Sequence, residues 1–493
     1  MKIFILVSCL ALICSCSSVK VEHKDDGNGW IELKKGRTVL LPMSDTAPEA
    51  LLTIYGRDGV VGVPWTARFA IDSIDYYIPY TAEDDIALKI SGLPLKSLFY
   101  RKVRFGSKRV VNPRPFLHFK PPYGWINDPN GLVYKDGLWH MYYQWNPFGS
   151  LWGNMSWGHA VSSDFLHWEH RPLALAPDSL GMVFSGSAVV KDDKILAMYT
   201  SSGCKQSQSI AISEDGGNTF VKNGNNPVLE SERPDFRDPK IFWYDPEHKW
   251  YVIVSAGNAV EIYSSSDTEN WKFESRFGEE FGCHGGVWEC PDLFPLQYKG
   301  TEKWVMIVNC YRNDDIGTAT QYFIGSFDGH NFRPDDLDER WLDFGRDHYA
   351  AVTWNNAPDK RRILVAWMSN WQYANHMQTE GYRGMMTTPR ELSIDEYNGK
   401  LIVKSYPVKE VLDNVGETYV TSMTFSEANS VVDFFGLILR FDVASNQFSI
   451  TRNGHIVSVP LDNRPDHSAL VIHADDAVEC FIDDGAVCMT FIN

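Results

Sequence analysis

The stretch SSDFLHW (162–168) is the first of four related turn sequences whose spacing decides the fold. The other three are SEDGGNTF (213–220), SSDTENW (265–271) and SFDGHNF (326–332). Each contains an Asp and lies between short runs rich in Val, Ile, Tyr, Phe and Trp, a pattern typical of β-strands joined by tight turns. The four aspartates recur at intervals of roughly 50 to 60 residues, which is the length of one four-stranded propeller blade.

The strand pattern divides this region into five segments. The sequence therefore predicts a five-bladed β-propeller over residues 112–405, with four or six blades as alternatives. The predicted blades cover residues 125–170, 183–222, 237–275, 288–335 and 348–394. The fifth lacks the turn signature but keeps the strand RRILVAWM (361–368) and a turn at Asn398-Gly399.

Two further β regions flank the propeller, so the whole chain is predicted to be all-β. Strand-like pieces such as WIELKKGRTVLL (30–41) predict a small N-terminal β domain over residues 28–108. Short alternating strands predict a C-terminal β-sandwich over residues 410–493. Cys480 and Cys488 flank a predicted hairpin turn in this sandwich, which leaves a disulfide between them open.

The first residues predict export. Lys2 precedes an apolar run over residues 3–13, which has the length of a signal-peptide core and is too short to cross a bilayer. The run ends in LICSCSS (12–18), which resembles a bacterial lipobox with Cys16 as the acylated residue. We expect a signal peptide over residues 1–15 and a linker over residues 16–27.

The expected product is a lipoprotein that is attached to the membrane by lipid alone. No acidic run follows Cys16 directly, which favours the periplasmic side over the cell surface. An ordinary signal peptide with chance cysteines is the alternative. The sequence predicts no particular oligomeric state.

Composition favours a neutral, polyhydroxylated ligand and argues against nucleic acid. The chain has 46 Lys and Arg against 63 Asp and Glu, a net charge of −17, whereas a phosphate-backbone binder needs a basic face. Aromatic residues make up 13% of the chain and include 17 Trp, whose faces can stack on sugar rings. The scattered cysteines lack paired C-x-x-C spacing, so neither a metal site nor a cofactor is predicted.

Three acids lie near the start of predicted innermost strands, at similar distances before the turn signatures of their blades. They are Asp128 in WINDPNG (125–131), Asp238 in FRDPK (236–240) and Glu289 in WECPD (288–292). If the blades are equivalent, the acids share one phase of the repeat and meet at the propeller axis. Paired carboxyl groups are what glycoside hydrolysis requires, and like charges held close raise the pKa of one of them. Taken alone, each motif also fits a simple turn, as at Asp245-Pro246.

These three blocks, in this order and spacing, resemble the signature motifs of glycoside hydrolase family 32, which comprises invertases, inulinases and levanases. Further matching stretches are YQWNP (143–147), WGNMSWGHAVSSD (152–164), FSGS (184–187) and AWMSNWQYAN (366–375). The resemblance covers about residues 115–493 and implies a five-bladed propeller followed by a β-sandwich. Residues 28–105 match nothing in the enzyme core, although a similar extension occurs in some gut-bacterial members.

The resemblance implies a retaining hydrolase that cleaves terminal β-D-fructofuranosyl linkages of fructans or fructo-oligosaccharides. It implies Asp128 as the nucleophile, Glu289 as the general acid/base and Asp238 as a transition-state stabiliser. The matching positions that would line the fructose pocket are Asn127, Gln144, Trp152, Phe184, Ser185, Arg237 and Trp367. A retaining mechanism would hold the nucleophile and acid carboxyl groups about 5–5.5 Å apart.

We expect exo action, because acids at the narrow end of a propeller funnel favour a blind pocket walled by Trp152, Trp367 and Trp371. An endo-acting levanase is the first alternative. A related propeller hydrolase acting on arabinan or xylan would invert configuration. A non-catalytic glycan-binding lipoprotein would have no reason to keep all three acids. Preference among levan, inulin and sucrose is left open.

Overall fold

The computed structural model of the protein describes residues 21–23, 28–106, 117–312, 314–378, 381–416, 419–425, 430–434, 437–442, 444–452, 454–464, 466–474 and 477–492. The chain divides into two compact units, residues 1–111 and 112–493. The predicted signal peptide and Cys16 lie outside the described residues. Within the described part of the chain, no helix is long and apolar enough to cross a membrane.

Where the first unit is described, it contains two sheets and one short helix. Its elements are β1 (Glu22–His23), β2 (Gly29–Leu33), β3 (Thr38–Met43), β4 (Ala50–Gly56), β5 (Gly59–Val60), β6 (Trp65–Ala67), β7 (Tyr76–Thr81), β8 (Ile86–Ser91), α1 (Leu98–Lys102) and β9 (Arg104–Phe105). One sheet has the order β1-β2-β8-β4-β5, with β6 also paired to β4, and the other has the order β7-β3-β9. In β2, Ile31 and Leu33 are buried and Glu32 is exposed, which is the period-two pattern of a half-buried strand.

The described residues between 124 and 407 of the second unit form five sheets, each with four antiparallel strands, and the first sheet has a further short parallel strand. The first sheet contains β10 (Gly124–Lys135), β11 (Leu138–Asn146), β12 (Ser156–Ser162) and β13 (Glu169–Leu175). The second contains β14 (Met182–Lys191), β15 (Lys194–Ser202), β16 (Gln206–Ser213) and β17 (Val221–Lys222). The third contains β18 (Phe236–Tyr244), β19 (Lys249–Ala256), β20 (Val260–Ser265) and β21 (Lys272–Phe277).

The last two sheets complete this region. The fourth sheet contains β22 (Glu289–Tyr298), β23 (Thr301–Tyr311), β24 (Thr318–Phe327) and β25 (Phe332–Pro334). The fifth contains β26 (Tyr349–Thr353), β27 (Ile363–Trp367), β29 (Arg390–Tyr397) and β30 (Lys400–Pro407). The short strand β28 (Tyr382–Arg383) pairs in parallel with β10. Three 3-10 turns lie at Asp245–Glu247, Pro358–Lys360 and Ala374–His376.

The five sheets close into a ring. The first strands β10, β14, β18, β22 and β26 contact one another in that order, and β26 also contacts β10. This is the arrangement of a propeller with its first strands innermost, and the predicted all-β class is confirmed.

The repeated aspartates each close the turn between the third and fourth strands of a blade. Asp164 Oδ1 accepts the backbone N–H groups of Leu166 and His167 at 3.0 and 2.8 Å. Asp267 and Asp328 make the equivalent pair of contacts in their blades, and Asp215 accepts the backbone N–H groups three and four residues further on. The turn signature therefore recurs because an Asp side chain satisfies the backbone donors of a tight turn.

The C-terminal region folds as the predicted β-sandwich. After α2 (Lys409–Asn414) come β31 (Val420–Phe425), β32 (Ser430–Phe434), β33 (Leu437–Asp442), β34 (Gln447–Arg452), β35 (His455–Pro460), β36 (His467–Ala474), β37 (Ala477–Ile482) and β38 (Val487–Ile492). The two sheets have the orders β31-β36-β37-β38 and β32-β33-β34-β35. They share one apolar core, in which the rings of Phe425 and Phe441 lie 6.0 Å apart.

The structure excludes a disulfide between Cys480 and Cys488. In the β37–β38 hairpin, Cys480 pairs with Met489 and Cys488 pairs with Phe481, so the two thiols are one residue out of register. Side chains one residue apart point to opposite faces of a sheet. Cys480 accordingly packs in the sandwich core, whereas Cys488 Sγ donates to the Ser405 carbonyl of β30 at 3.1 Å.

A buried ion cluster joins the fifth blade to the sandwich. Arg390 of β29 is fully buried, and its guanidinium lies 2.8 Å from Asp343 Oδ2 and 2.5 Å from Glu479 Oε2 of β37. His118 Nε2 lies 2.9 Å from Glu479 Oε1. These charges are stable in the interior because each is paired and hydrogen-bonded.

Candidate active site

The five innermost strands share a β-bulge near their start. In each, two residues lie opposite a single residue of the second strand: 127–128, 184–185, 238–239, 290–291 and 350–351. Bulges re-aim side chains and are frequent next to active sites. Asp238 (φ 65°) and Cys290 (φ 44°) adopt left-handed backbone conformations here, which Asp tolerates better than most residues.

The three predicted acids lie at these bulges, but at three successive positions. Glu289 immediately precedes its bulge, Asp238 is the first residue of its bulge and Asp128 is the second. The expectation that the acids share one phase of the repeat is therefore wrong. Their positions relative to the bulge differ by one residue from blade to blade. Acids at three successive positions can still face one cavity, because a bulge changes the direction of the side chains around it.

All three acids line one cavity of about 330 Å³. The other described residues around it are Asn127, Gln144, Trp152, Met155, Phe184, Ser185, Arg237, Trp371 and Asn375. All but one of the predicted pocket residues are thus brought together. A concave site with aromatic walls and a few convergent polar groups is typical of small-molecule binding.

Trp367 is the exception, and its predicted place in the pocket is wrong. It is fully buried at the end of β27 and does not line the cavity. Its ring packs behind Trp371, with the centroids 4.8 Å apart, and against Trp125 at 5.9 Å. Trp371, in the loop after β27, forms the wall instead and stacks on Trp125 at 5.8 Å.

Asp128 is oriented by three hydrogen-bond donors. Ser185 Oγ and Cys290 Sγ donate to Oδ2 at 2.6 and 3.4 Å, and Asn127 Nδ2 donates to Oδ1 at 2.9 Å. Asn127 is held in turn by Trp125, whose Nε1 donates to its Oδ1 at 2.8 Å. Burial raises the pKa of Asp128, and the charge of Glu289 adds to this, whereas the contacts from Ser185 and Asn127 oppose it.

Asp238 is the most deeply buried of the three acids, with 5% of its surface exposed. Its Oδ2 accepts the backbone N–H of Cys290 at 2.9 Å and lies 3.8 Å from Arg237 Nε. Its own backbone N–H donates to Thr200 Oγ1 at 2.9 Å. Burial raises the pKa of Asp238 to about 7, because the Arg237 charge only partly offsets burial and the neighbouring carboxylates.

Glu289 is held by two donors from neighbouring blades. Arg237 Nη2 donates to Oε1 at 3.0 Å, and the Tyr349 hydroxyl donates to Oε2. Burial keeps the pKa of Tyr349 well above its ordinary value, so this hydroxyl remains a donor. The two contacts fix the orientation of the carboxyl group, which is 22% exposed toward the cavity.

Sequence reasoning missed Tyr349, Met155 and Asn375. Tyr349 immediately precedes the bulge of the fifth blade, the position that Arg237 and Glu289 occupy in theirs. Alignment of the innermost strands by their bulges would therefore have identified it. Asn375 belongs to the matching stretch AWMSNWQYAN, and its Oδ1 accepts the Trp152 backbone N–H at 3.2 Å.

Known proteins match more than half of this chain. Residues 118–405 match the glycosyl hydrolases family 32 N-terminal domain. The levanase of Bacillus subtilis is 46% identical over 320 residues, which are 60% of this chain and 47% of the levanase, so the chain spans about half of that relative. The extracellular exo-inulinase of Aspergillus ficuum is 37% identical over 400 residues, which are 70% of this chain and 74% of that protein.

A solved structure agrees with these sequence matches. The exo-inulinase from Aspergillus awamori aligns with a TM-score of 0.69 at 29% identity, covering 76% of this chain and 92% of that one. The matched family segment reaches from the first blade into the last strand of the fifth and includes all three acids. The chain therefore belongs to glycosyl hydrolase family 32.

Proposed function

We propose that the protein is a retaining glycosidase that removes terminal β-D-fructofuranosyl units from fructans or fructo-oligosaccharides. The observation that carries this proposal is the convergence of Asp128, Asp238 and Glu289 on one cavity. The names of the matched relatives, levanase and exo-inulinase, support fructans as the substrate class.

The first step forms a covalent fructosyl-enzyme. Asp128 attacks the anomeric carbon C2, while Glu289 donates a proton to the departing glycosidic oxygen. The donors Ser185 and Asn127 hold the two Asp128 oxygens in place before attack. Such pre-positioning lowers the barrier because less orientational freedom is lost in the transition state.

The second step releases fructose with its configuration retained. Glu289, now a carboxylate, removes a proton from water, and the resulting nucleophile displaces Asp128 from C2. Arg237 and Tyr349 keep Glu289 facing the same point in both steps. One residue can therefore act as acid and then as base.

Asp238 stabilises the transition state without forming a bond to it. Its carboxylate accepts hydrogen bonds from ring hydroxyls and faces the positive charge that develops on the sugar. The low exposure of Asp238 strengthens both effects, because little water screens the interaction.

The cavity walls support exo action on one terminal unit. Trp152, Phe184 and Trp371 come from three different blades and surround the acids. Trp152 is 40% exposed and packs edge-on against Phe184, with ring centroids 6.0 Å apart. Aromatic walls from three blades favour a pocket that takes one terminal unit over an open cleft.

Product analysis tests this function. We expect the protein to release free fructose from levan, inulin or both, and Asp128→Asn protein to release none. Hydrolysis of arabinan or xylan in place of fructans would contradict the proposal. Binding of fructans without turnover would identify a glycan-binding protein instead.

We also propose that the protein is an exported lipoprotein acylated at Cys16 and facing the periplasm. The apolar run over residues 3–13 and the LICSCSS stretch support this. Mass spectrometry should find a lipid-modified N-terminal Cys16, and Cys16→Ala protein should leave the membrane fraction. Digestion of the protein by protease added to intact cells would contradict the periplasmic orientation.

A further inference from the structure

Two cysteines that the proposed mechanism does not use lie together beside the loop that leads to Glu289. Cys283 belongs to this loop, which covers residues 278–288 between β21 and β22, and Cys310 lies near the end of β23. Both side chains pack in one apolar cluster between the third and fourth blades. The cluster therefore contains two sulfur atoms from separate segments of the chain.

The two thiols are in hydrogen-bond contact, with Cys310 as the donor and the Cys283 sulfur as the acceptor. Two further contacts hold Cys283 in place. Its backbone N–H donates to Gln321 Oε1 of β24 at 3.0 Å, and its Sγ lies 3.3 Å from the carbonyl of Tyr311 in β23. Cys283 is thus a point at which the loop is attached to the fourth blade.

The contact makes the two thiols chemically unequal. The hydrogen bond from Cys310 lowers the pKa of Cys283 to about 7, against the opposing effect of burial. The same hydrogen bond, together with burial, raises the pKa of Cys310 above its ordinary value. A thiolate is the attacking group in thiol–disulfide exchange, and a neighbouring thiol then resolves the mixed disulfide. Cys283 has the properties of the attacking group and Cys310 those of the resolving group.

Cys283 is also the more accessible of the two. It is 6% exposed, whereas Cys310 is completely buried. The neighbouring loop residues Glu280, His284 and Gly285 are exposed. A small molecule in solution therefore reaches Cys283 before it reaches Cys310, which is the order that the exchange reaction needs.

We propose that Cys283 and Cys310 form a modification site, at which oxidised glutathione converts the two thiols to an intramolecular disulfide. The Cys283 thiolate attacks one glutathione sulfur, and the glutathione S–S bond breaks to release one glutathione thiol. Cys310 then loses its proton and attacks the Cys283 sulfur, which releases the second glutathione thiol. Two protein thiols are oxidised, and one small disulfide is reduced to two thiols.

The bond fastens the loop to the fourth blade. Trp288 Nε1 donates to the Cys283 carbonyl at 2.7 Å, and the His284 ring stacks on Trp288 with centroids 5.3 Å apart. The loop therefore folds around the residue that directly precedes Glu289. A disulfide closes residues 283–310 into a ring and restricts the unfolded chain, so the oxidised protein should unfold at a higher temperature.

Peptide mapping and thermal unfolding test this site. Cys204→Ser protein is the background, because it lacks the exposed one of the described cysteines. Oxidised glutathione should link tryptic peptide 277–299 to peptide 304–312, and fragmentation should place the bond at Cys283 and not at Cys290. The Tm should be at least about 5 °C higher than that of the same protein treated with dithiothreitol.

Three further variants in this background serve as controls. Cys283→Ala and Cys310→Ala should each show neither the link nor the rise in Tm, whereas Cys480→Ala, which removes a buried thiol of the sandwich, should show both. Absence of the linked peptides after oxidation, a bond at Cys290 instead, or a linked protein with unchanged Tm overturns the proposal. Neither measurement depends on hydrolysis, so a failure here is distinct from a failure of the proposed function.

Discussion

At the scale of single residues, two side chains at the cavity each contact two of the three carboxyl groups. The Cys290 thiol lies 3.4 Å from Asp128 Oδ2 and 3.7 Å from Asp238 Oδ2, so it contacts both acids at once. Arg237 contacts Asp238 and Glu289 in the same way. Because each donor positions two acids, the three carboxyl groups behave as one unit, and substitutions there are expected to be non-additive.

Replacement of the two reacting carboxyl groups is expected to abolish turnover. Asp128→Asn and Glu289→Gln should each lower kcat by at least about a thousandfold, since in the proposed mechanism one removes the nucleophile and the other the acid/base group. Asp245→Asn is the matched control, because Asp245 also precedes a proline but lies in the turn after β18 and contacts Trp243. Folded mutants that keep a tenth of the wild-type rate would exclude these roles.

Loss of the Ser185 hydroxyl should shift the pH profile. The hydrogen bond from Ser185 lowers the pKa of Asp128 against the dominant effect of burial, so Ser185→Ala should raise that pKa further. The nucleophile must be ionised, and the acid limb of kcat/KM should therefore move to higher pH. Ser201→Ala, which removes a buried hydroxyl that is hydrogen-bonded to Ser209, should leave the acid limb of kcat/KM at the same pH.

Asp238→Asn should stabilise the protein increasingly as pH rises. Burial raises the pKa of Asp238 from 3.8 to about 7, so the folded state binds this proton more tightly than the unfolded state does. The free energy of unfolding of the wild type therefore falls between these pH values. The Tm difference between variant and wild type should grow from pH 4 to pH 8. A difference that stays constant would contradict a raised pKa of Asp238.

At the scale of elements, the contact between β29 and β37 holds the propeller to the sandwich. Burial alone would raise the pKa of Glu479, but Arg390 and His118 lower it to about 2. The stabilisation from this contact is therefore present above the ordinary value of 4.5 and is lost as pH falls toward 2.

Replacement of the buried cation Arg390 should destabilise the protein more than replacement of a cation in an exposed ion pair. Arg390→Met leaves Asp343 and Glu479 buried without their cation, and we expect the free energy of unfolding to fall by roughly 3–5 kcal/mol. Lys194→Met breaks only an exposed pair with Glu214 and should cost less than about 1 kcal/mol. Urea unfolding of both variants measures this, and equal losses would show that the cluster contributes no more than a surface pair.

At the scale of the whole molecule, ring closure brings aromatic walls from different blades to one cavity. The first and fifth blades meet where β26 contacts β10, and Trp152 of the first blade and Trp371 of the fifth both line the cavity. We expect such a cavity to take a chain end and not a chain interior.

Early digestion of levan and inulin should therefore yield fructose as the first product. Chromatography of samples taken before a tenth of the substrate is consumed should show fructose and an almost unchanged polymer. A ladder of oligosaccharides at that stage would indicate an open cleft. Asp128→Asn protein serves as the control for contaminating hydrolases.

Several features follow from the sequence by itself because their causes are local. Alternating residues and turn signatures predicted blades at 125–170 and 183–222, and the sheets cover 124–175 and 182–222. The recurring Asp bonds to backbone groups within four residues, so its effect does not depend on distant contacts. The motif blocks likewise identified the acids that meet at the cavity.

Tertiary structure alone decided which way several side chains face. A shift of one residue in the register of a strand turns each of its side chains to the opposite face of the sheet. Only pairing with the neighbouring strand fixes that register. This is why Cys480 and Cys488 lie on opposite faces and why the acids occupy successive bulge positions. Contacts such as Tyr349 to Glu289 join different blades, and they arise only when the ring closes and brings distant segments of the chain to one axis.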